Sequence, residues 1–64
     1  MKINLSSGKT KEMDIDSLTV ENLLSELQIS QSEVIVVMNG EVIPEDHVLR
    51  NEDEIRIIHV VFGG

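Results

Sequence analysis

The spacing of apolar residues at the start of the chain predicts an N-terminal β-hairpin. Ile3 and Leu5 alternate with polar residues. Turn residues follow at Ser7-Gly8-Lys9, and the period of two resumes at Met13 and Ile15. Both strands are therefore expected to place one apolar face against a core.

A helix is predicted to begin just after Thr19, whose hydroxyl can accept a hydrogen bond from a free amide of the first turn. Glu21 lies in that turn, where a carboxylate is favourable, and Leu18 is placed for a hydrophobic staple with Leu23. Asp16-Ser17, before the helix, are interpreted as turn residues. Apolar residues recur at helical spacing along one face: Val20, Leu23, Leu24 and Leu27.

A second hairpin is predicted in the middle of the chain. Residues 34–38 form a continuous apolar run, and Asn39-Gly40 follows. This pair is a strong hairpin signal, because a type I′ turn needs a positive φ at both positions. Residues 41–43 form the return strand, and Pro44 ends it because it lacks the amide that a strand ladder needs.

The end of the chain is predicted to be a short turn, a loop and a last strand. Residues 45–49 are expected to form one helical turn with Val48 and Leu49 buried. An acidic loop at 50–54 then leads into a mostly β-branched strand at 55–62. The predicted fold class is α+β: a mixed four- or five-stranded sheet, one main helix on one face, and the last strand interior and parallel to the first.

Composition narrows the classes of function. The chain has 64 residues, a net charge of −7 and no cysteine, so we expect one small domain without disulfides or thiolate chemistry. The negative charge disfavours nucleic acid and anionic membranes and favours a partner with a basic surface. We expect a cytoplasmic protein that is a monomer when free.

The polar residues do not predict a catalytic or metal site. His47 stands beside Glu45 and Asp46, but three ligands on one tight turn rarely converge on a metal ion. His59 is expected at a half-exposed position of the last strand. We therefore predict that the protein is not an enzyme and binds neither a metal nor a cofactor.

Strand alternation predicts an apolar patch on the side of the sheet away from the helix. If Ile55, Ile57, Val34 and Val36 face the helix, their neighbours must face away. The residues predicted to face outward are Ile35, Val37, Arg56, Ile58 and Val60. Such a patch is typical of a protein contact, although β-propensity alone also explains β-branched residues in a strand.

The final glycines, Gly63-Gly64, contribute nothing to packing and have no conformational preference. One interpretation is a frayed terminus or a truncated chain. The other is a reactive tail, because Gly-Gly can pass through a channel too narrow for a Cβ atom and present its carboxylate to a partner's active site. The two glycines alone do not decide between these interpretations.

The whole chain resembles the ubiquitin-like β-grasp sulfur carriers. The resemblance lies in the order of elements, in Asn39-Gly40 and Ile43-Pro44, in the acidic loop and in the closing Gly63-Gly64. The short thiamin-type carriers are most similar, with the molybdopterin-synthase small subunits and archaeal ubiquitin-like small modifiers as relatives. The resemblance implies a β-grasp domain over residues 1–62 and a flexible tail at 63–64.

The resemblance also implies a function. An E1-like adenylating enzyme would use ATP to adenylate the Gly64 carboxylate, with Gly63 as part of the reactive tail. Conversion to a thiocarboxylate would supply sulfur to an acceptor enzyme, for thiamin, molybdopterin or transfer-RNA thiolation. The residues implied to bind the partner are Phe62, Val60, Ile58, Arg56, Val37 and Ile35.

Two alternatives to sulfur transfer remain. One is a protein modifier that is conjugated through Gly64 to lysines of target proteins, and the other is a non-covalent interaction module. Val60, Val61 and Phe62 extend the apolar strand almost to the glycines, without the basic stretch that ubiquitin has there. This favours a sulfur carrier over a modifier. The acidic 51–54 loop departs from the Asp-Gly-Asp type that is frequent in thiamin carriers, which leaves the pathway open.

Overall fold

The computed structural model describes residues 1–60, and this part of the chain folds as strands around one α-helix. The strands are β1 (Lys2–Leu5), β2 (Thr10–Glu12), β3 (Ser17–Thr19), β4 (Val34–Met38), β5 (Glu41–Ile43), β6 (Val48–Arg50) and β7 (Glu54–His59). The helix α1 spans Val20–Glu26, and a short 3₁₀ helix spans Gln31–Glu33. Neither helix has the length and apolar character needed to cross a bilayer.

The main sheet has five strands in the order β2-β1-β7-β4-β5, so β7 is central. It runs parallel to β1, with Ile3 beside Ile55, and antiparallel to β4, with Ile35 opposite Ile58. Strands β3 and β6 form a separate pair. This is the α+β β-grasp fold, and it confirms the prediction of a mixed sheet with an interior last strand parallel to the first.

The core lies between α1 and one face of the main sheet. It is apolar, and Ile29 after the helix packs against it as a partly buried residue. The buried residues of the described chain are Met1, Ile3, Val20, Leu23, Leu24, Val34, Val36, Leu49, Ile55 and Ile57.

The start of α1 is capped as the sequence predicts. The Thr19 hydroxyl accepts a hydrogen bond from the backbone amide of Asn22 at 3.2 Å. The two preceding amides of the helix donate to carbonyls of the loop after β5: Val20 to His47 at 3.0 Å and Glu21 to Glu45 at 2.9 Å. These three bonds satisfy backbone donors that the helix itself cannot pair.

The turn between β4 and β5 confirms the strongest local signal in the sequence. Asn39 has a φ of 54° and Gly40 a φ of 78°, the left-handed values that a type I′ turn requires. The tight turn fixes the register of the hairpin, with Met38 opposite Glu41 and Val37 opposite Val42.

The predicted helical turn at residues 45–49 is wrong, because residues 48–50 form strand β6. The carbonyls of the 44–47 loop accept hydrogen bonds from α1, and β6 then pairs with β3, with Leu18 opposite Leu49. Leu49 is fully buried as expected, but Val48 is 52% exposed. The same pairing places Ser17 in a strand instead of a turn.

The second strand of the first hairpin is shorter than the period of two predicts. Strand β2 ends at Glu12, and Met13 continues the pairing with Met1 by one residue beyond the strand. The Met13 amide donates to the carbonyl of Met1 at 2.9 Å, and the Ile15 amide donates to the side chain of Asn51 at 3.0 Å. Both side chains still pack against the core as partly buried residues.

Candidate functional site

The side of the main sheet away from α1 is not covered by another element of the described chain, and we call it the open face. Direct strand partners point their side chains to the same side of a sheet, so the register identifies its members. Its central residues are Ile35 and Val37 of β4, Val42 of β5, Arg56 and Ile58 of β7, and Asn4 of β1.

Strands β4 and β7 alternate between the two faces as the sequence predicts. Val36 and Ile57 are opposite each other on the helix side, and they are 3% and 0% exposed. Ile35 and Ile58 are opposite each other on the open face, where Ile35 is 37% exposed and Ile58 is half-buried. The structure therefore brings Ile35, Ile58 and their neighbours together on one surface.

Val42 is a member of the open face that the sequence reasoning missed. It lies opposite Val37 and is 64% exposed, the largest exposure among the large apolar residues of the described chain. Its position follows from the two-residue Asn39-Gly40 turn, which fixes the register of the hairpin. Counting back from that turn would have placed Val42 beside Val37.

Arg56 marks the boundary between an apolar half and a polar half of the open face. On one side its strand partner is Val37, and on the other side it is Asn4. Asn4 Nδ2 donates to Glu54 Oε2 at 2.8 Å, and Asn4 Oδ1 accepts from Thr10 Oγ1 at 3.3 Å. The polar half is therefore a hydrogen-bonded row across three strands.

The end of β7 leads from this face toward the tail. The Val60 amide donates to the carbonyl of Glu33 at 2.8 Å, which anchors the chain beside the 3₁₀ helix. Val60 is half-buried and continues the alternation of Arg56 and Ile58. The predicted site residues Phe62, Gly63 and Gly64, and with them the predicted boundary between domain and tail, lie outside the described residues.

The two histidines lie apart from each other and from the apolar half of the open face. The ring Nδ1 of His59 is 3.1 Å from Ser6 Oγ. His59 was predicted to be half-exposed, and the structure shows it exposed. The carbonyl of His47 accepts a hydrogen bond from α1. Within residues 1–60 no group of three or more acidic or histidine side chains is arranged to hold a metal ion.

Comparison with known proteins agrees with this fold. The chain matches the family described as small archaeal modifier protein 2 over residues 1–61. It is also similar to a crystal structure of the thiamine biosynthesis protein ThiS from Geobacter metallireducens, with 30% identity, a TM-score of 0.68 and full coverage of both chains. No curated protein matches the chain.

A solution structure of a thiamine biosynthesis protein from the same organism is 28% identical, with a TM-score of 0.63 over the whole of this chain and 88% of that one. The relatives are small carrier or modifier proteins. The family match covers residues 1–61, and the structural similarity extends over the whole chain. The chain belongs to the small archaeal modifier protein 2 family, within the ubiquitin-like β-grasp sulfur carriers and modifiers.

Proposed function

We propose that this protein is a sulfur carrier that reacts through the carboxylate of Gly64. The carboxylate oxygen attacks the α-phosphate of ATP in the active site of an E1-like adenylating enzyme, which releases pyrophosphate and leaves an acyl-adenylate. A sulfide-level nucleophile then attacks the acyl carbon and displaces AMP, so that the chain ends in a thiocarboxylate. The carrier binds no cofactor, and ATP is bound by the activating enzyme.

The observation that carries the proposal is the family match, which extends to within three residues of Gly64. The fold supports the proposal, because β7 is the central strand of the sheet, contributes Arg56 and Ile58 to the open face, and is the last strand before the tail in the sequence. Four extended residues span at most about 14 Å, so a partner docked near Val60 has the terminal carboxylate within that reach.

In this proposal the open face docks on the activating enzyme. Ile35, Val37, Val42 and Ile58 supply the apolar surface, and Val60 continues it at the end of β7. Phe62, the residue before the two glycines in the sequence, is proposed to take part in the same contact. Exposed contiguous apolar surface of this kind is typical of protein contacts. The acceptor that takes the sulfur from the thiocarboxylate is a second protein partner. The structural neighbours are thiamine biosynthesis proteins, which favours a thiamin-type pathway.

The second candidate is a protein modifier, which the description of the matched family favours. A lysine amine of a target protein would attack the same acyl-adenylate at Gly64, displace AMP and form an isopeptide bond. Both functions share activation at Gly64, so they differ only in the nucleophile.

The experiment incubates the protein with ATP, a sulfur donor and candidate E1-like enzymes, and follows the intact mass. A sulfur carrier gains the mass difference between sulfur and oxygen in its C-terminal peptide. A modifier instead appears linked to a lysine of another protein. The chain has no cysteine, so the added sulfur has no competing thiol site.

The Gly64→Ala variant tests the role of the terminus. Its methyl group would displace the carboxylate in the enzyme's channel, and a misplacement of about 1 Å can reduce the rate on the order of a hundredfold. The control is Val48→Ala, which truncates an exposed side chain outside the open face. Adenylation of Gly64→Ala at the rate of the control would contradict the proposal and favour a non-covalent interaction module.

A further inference from the structure

A basic concavity lies at the polar end of the open face, under the β1–β2 hairpin. It has a volume of about 320 Å³. It is lined by Asn4, Leu5, Ser6, Gly8, Lys9, Thr10 and Arg56. None of these lining residues is acidic, although the chain has twelve Asp and Glu residues against five Lys and Arg. Two of the few cations of an acidic protein therefore converge on one surface depression.

The strand register shows that these cations differ from Lys2, which lies on the same sheet. Lys2 is the strand partner of Glu12 in β2 and of Glu54 in β7, so acidic residues flank it on both sides. Arg56 sits between Asn4 and a valine of β4, neither of which carries a charge. Its nearest acid along the strand, Glu54, already accepts the hydrogen bond from Asn4 Nδ2.

Neutral hydrogen-bonding groups of the concavity are already committed within the sheet. The Thr10 hydroxyl donates to Asn4 Oδ1 at 3.3 Å, and the second Asn4 contact is to the carbonyl of Ile55 at 3.4 Å. Lys9 and Arg56 are the charged residues of the lining. Both are cationic, so the ligand should be an anion.

The hairpin holds Lys9 in a defined position. The Leu5 amide donates to the Lys9 carbonyl at 2.8 Å, and the Gly8 amide donates to the Leu5 carbonyl at 3.0 Å. Gly8 has a φ of 90°, which the turn requires and which a side chain would disfavour. Because the Gly8 amide is used inside the turn, it cannot join a cradle of backbone amides of the kind that binds phosphate.

We infer that the basic concavity binds a carboxylate side chain of the protein that docks on the open face. This inference rests on the proposed function and specifies the chemistry of the partner. Arg56 lines the concavity and also adjoins the apolar half of the open face, so one partner can cover both. A guanidinium presents paired donors that match the two oxygens of a carboxylate.

The inference reverses the expectation from net charge at this one place. The chain as a whole attracts a basic surface, whereas the concavity selects an acidic residue within that surface. A partner with a basic surface and one acidic residue placed for the concavity should dock in a single orientation. In any other orientation its acidic residue would face the acidic surface of this chain. Lys9 and Arg56 therefore act as specificity-determining residues for docking.

The test compares Lys9→Glu with Lys2→Glu, which change the net charge of the protein equally. The probes are the candidate E1-like enzymes of the adenylation experiment, and their affinity for each variant is measured by calorimetry. We expect Lys9→Glu to weaken binding about tenfold or more, because the new glutamate would face the carboxylate of the partner. Lys2→Glu should change the affinity less than about threefold. Equal effects of the two variants would overturn the inference.

Docking is measured separately from chemistry by repeating the titration with Gly64→Ala. If the enzyme binds Gly64→Ala but does not adenylate it, docking is independent of the chemistry at the terminus, and the two lysine variants still test the inference. If the wild-type chain binds the enzyme but is not adenylated, the proposed function fails while the inference is judged by docking alone. If the wild-type chain binds no such enzyme, both are overturned.

Inorganic phosphate is the second probe, followed through the amide resonances of residues 6–10. Weak binding, with saturation only above millimolar phosphate, agrees with a site shaped for a carboxylate of a docked protein. Tight phosphate binding that Lys9→Glu abolishes, combined with unchanged binding of the enzyme, would overturn the inference in favour of a small-anion site.

Discussion

At the centre of β4 and β7, the two faces of the main sheet carry the same kinds of residue and differ in what covers them. On the helix side Val36 and Ile57 lie opposite each other and are almost inaccessible to solvent. One position further along, Ile35 and Ile58 lie opposite each other and remain partly exposed. The same two strands therefore present β-branched apolar pairs to the core and to the surface.

The comparison shows that composition alone does not distinguish stability from recognition in a small domain. Both faces have the residues that β-strands favour, and only the position of α1 decides which pair is buried. Apolar side chains on the helix side stabilise the fold. Apolar side chains on the open face stay partly exposed, and in the proposed function a docked partner buries them.

Truncation at the centre of the helix side should have the largest effect on stability. Ile57→Ala removes buried methyl groups and leaves a cavity beside α1, which typically costs about 2–5 kcal/mol. The matched change on the open face, Ile58→Ala, should cost about 1 kcal/mol or less. Urea denaturation of both variants measures the difference, and equal losses would show that the open face also stabilises the fold.

A charge at the centre of the open face should give the largest effect on docking. Ile58→Asp should leave the domain folded and weaken binding to the activating enzyme by more than about thirtyfold, because a carboxylate would be buried in the contact without a partner. Calorimetric titration measures the affinity, and circular dichroism checks the fold.

The matched control is Val48→Asp, on the separate β3–β6 pair. Val48 is 52% exposed and belongs to neither face of the main sheet. It should bind the enzyme as tightly as the wild-type chain. Unfolding of Ile58→Asp, or an equal loss of affinity in both variants, would contradict the division of the sheet into a core face and a docking face.

Local signals in the sequence predicted the parts of this comparison that depend on neighbouring residues. Alternation in β4 and β7 assigned Val36 and Ile57 to the core and Ile35 and Ile58 to the open face. The Asn39-Gly40 turn and the cap of α1 were predicted for the same reason, since each depends on a few consecutive residues.

The parts that the sequence did not predict depend on distant partners. Strand β6 forms because β3 pairs with it and because the loop before it accepts hydrogen bonds from the first amides of α1. The concavity at Lys9 was also missed: on the sequence alone Lys9 is one exposed lysine of a hairpin, and only the sheet brings it beside Arg56. Spacing along the chain contains no information about either neighbour.

A smaller effect is expected from the loss of the single hydroxyl that caps α1. Thr19→Ala removes the hydrogen bond that Thr19 Oγ1 accepts from the Asn22 amide, and the loss of such a cap costs about 1 kcal/mol. The effect should not be larger, because the two preceding amides of α1 keep their carbonyl partners in the loop after β5. Thr19→Ser keeps the oxygen and should retain most of the stability.

The matched change on the open face is Thr10→Ala, which removes the exposed 3.3 Å hydrogen bond to Asn4. Water can replace that bond, so the free energy of unfolding should change by about 0.5 kcal/mol or less. Thermal denaturation of the three variants orders them. If Thr10→Ala were as destabilising as Thr19→Ala, the polar row of the open face would contribute to stability, and its side chains would not be free to serve recognition alone.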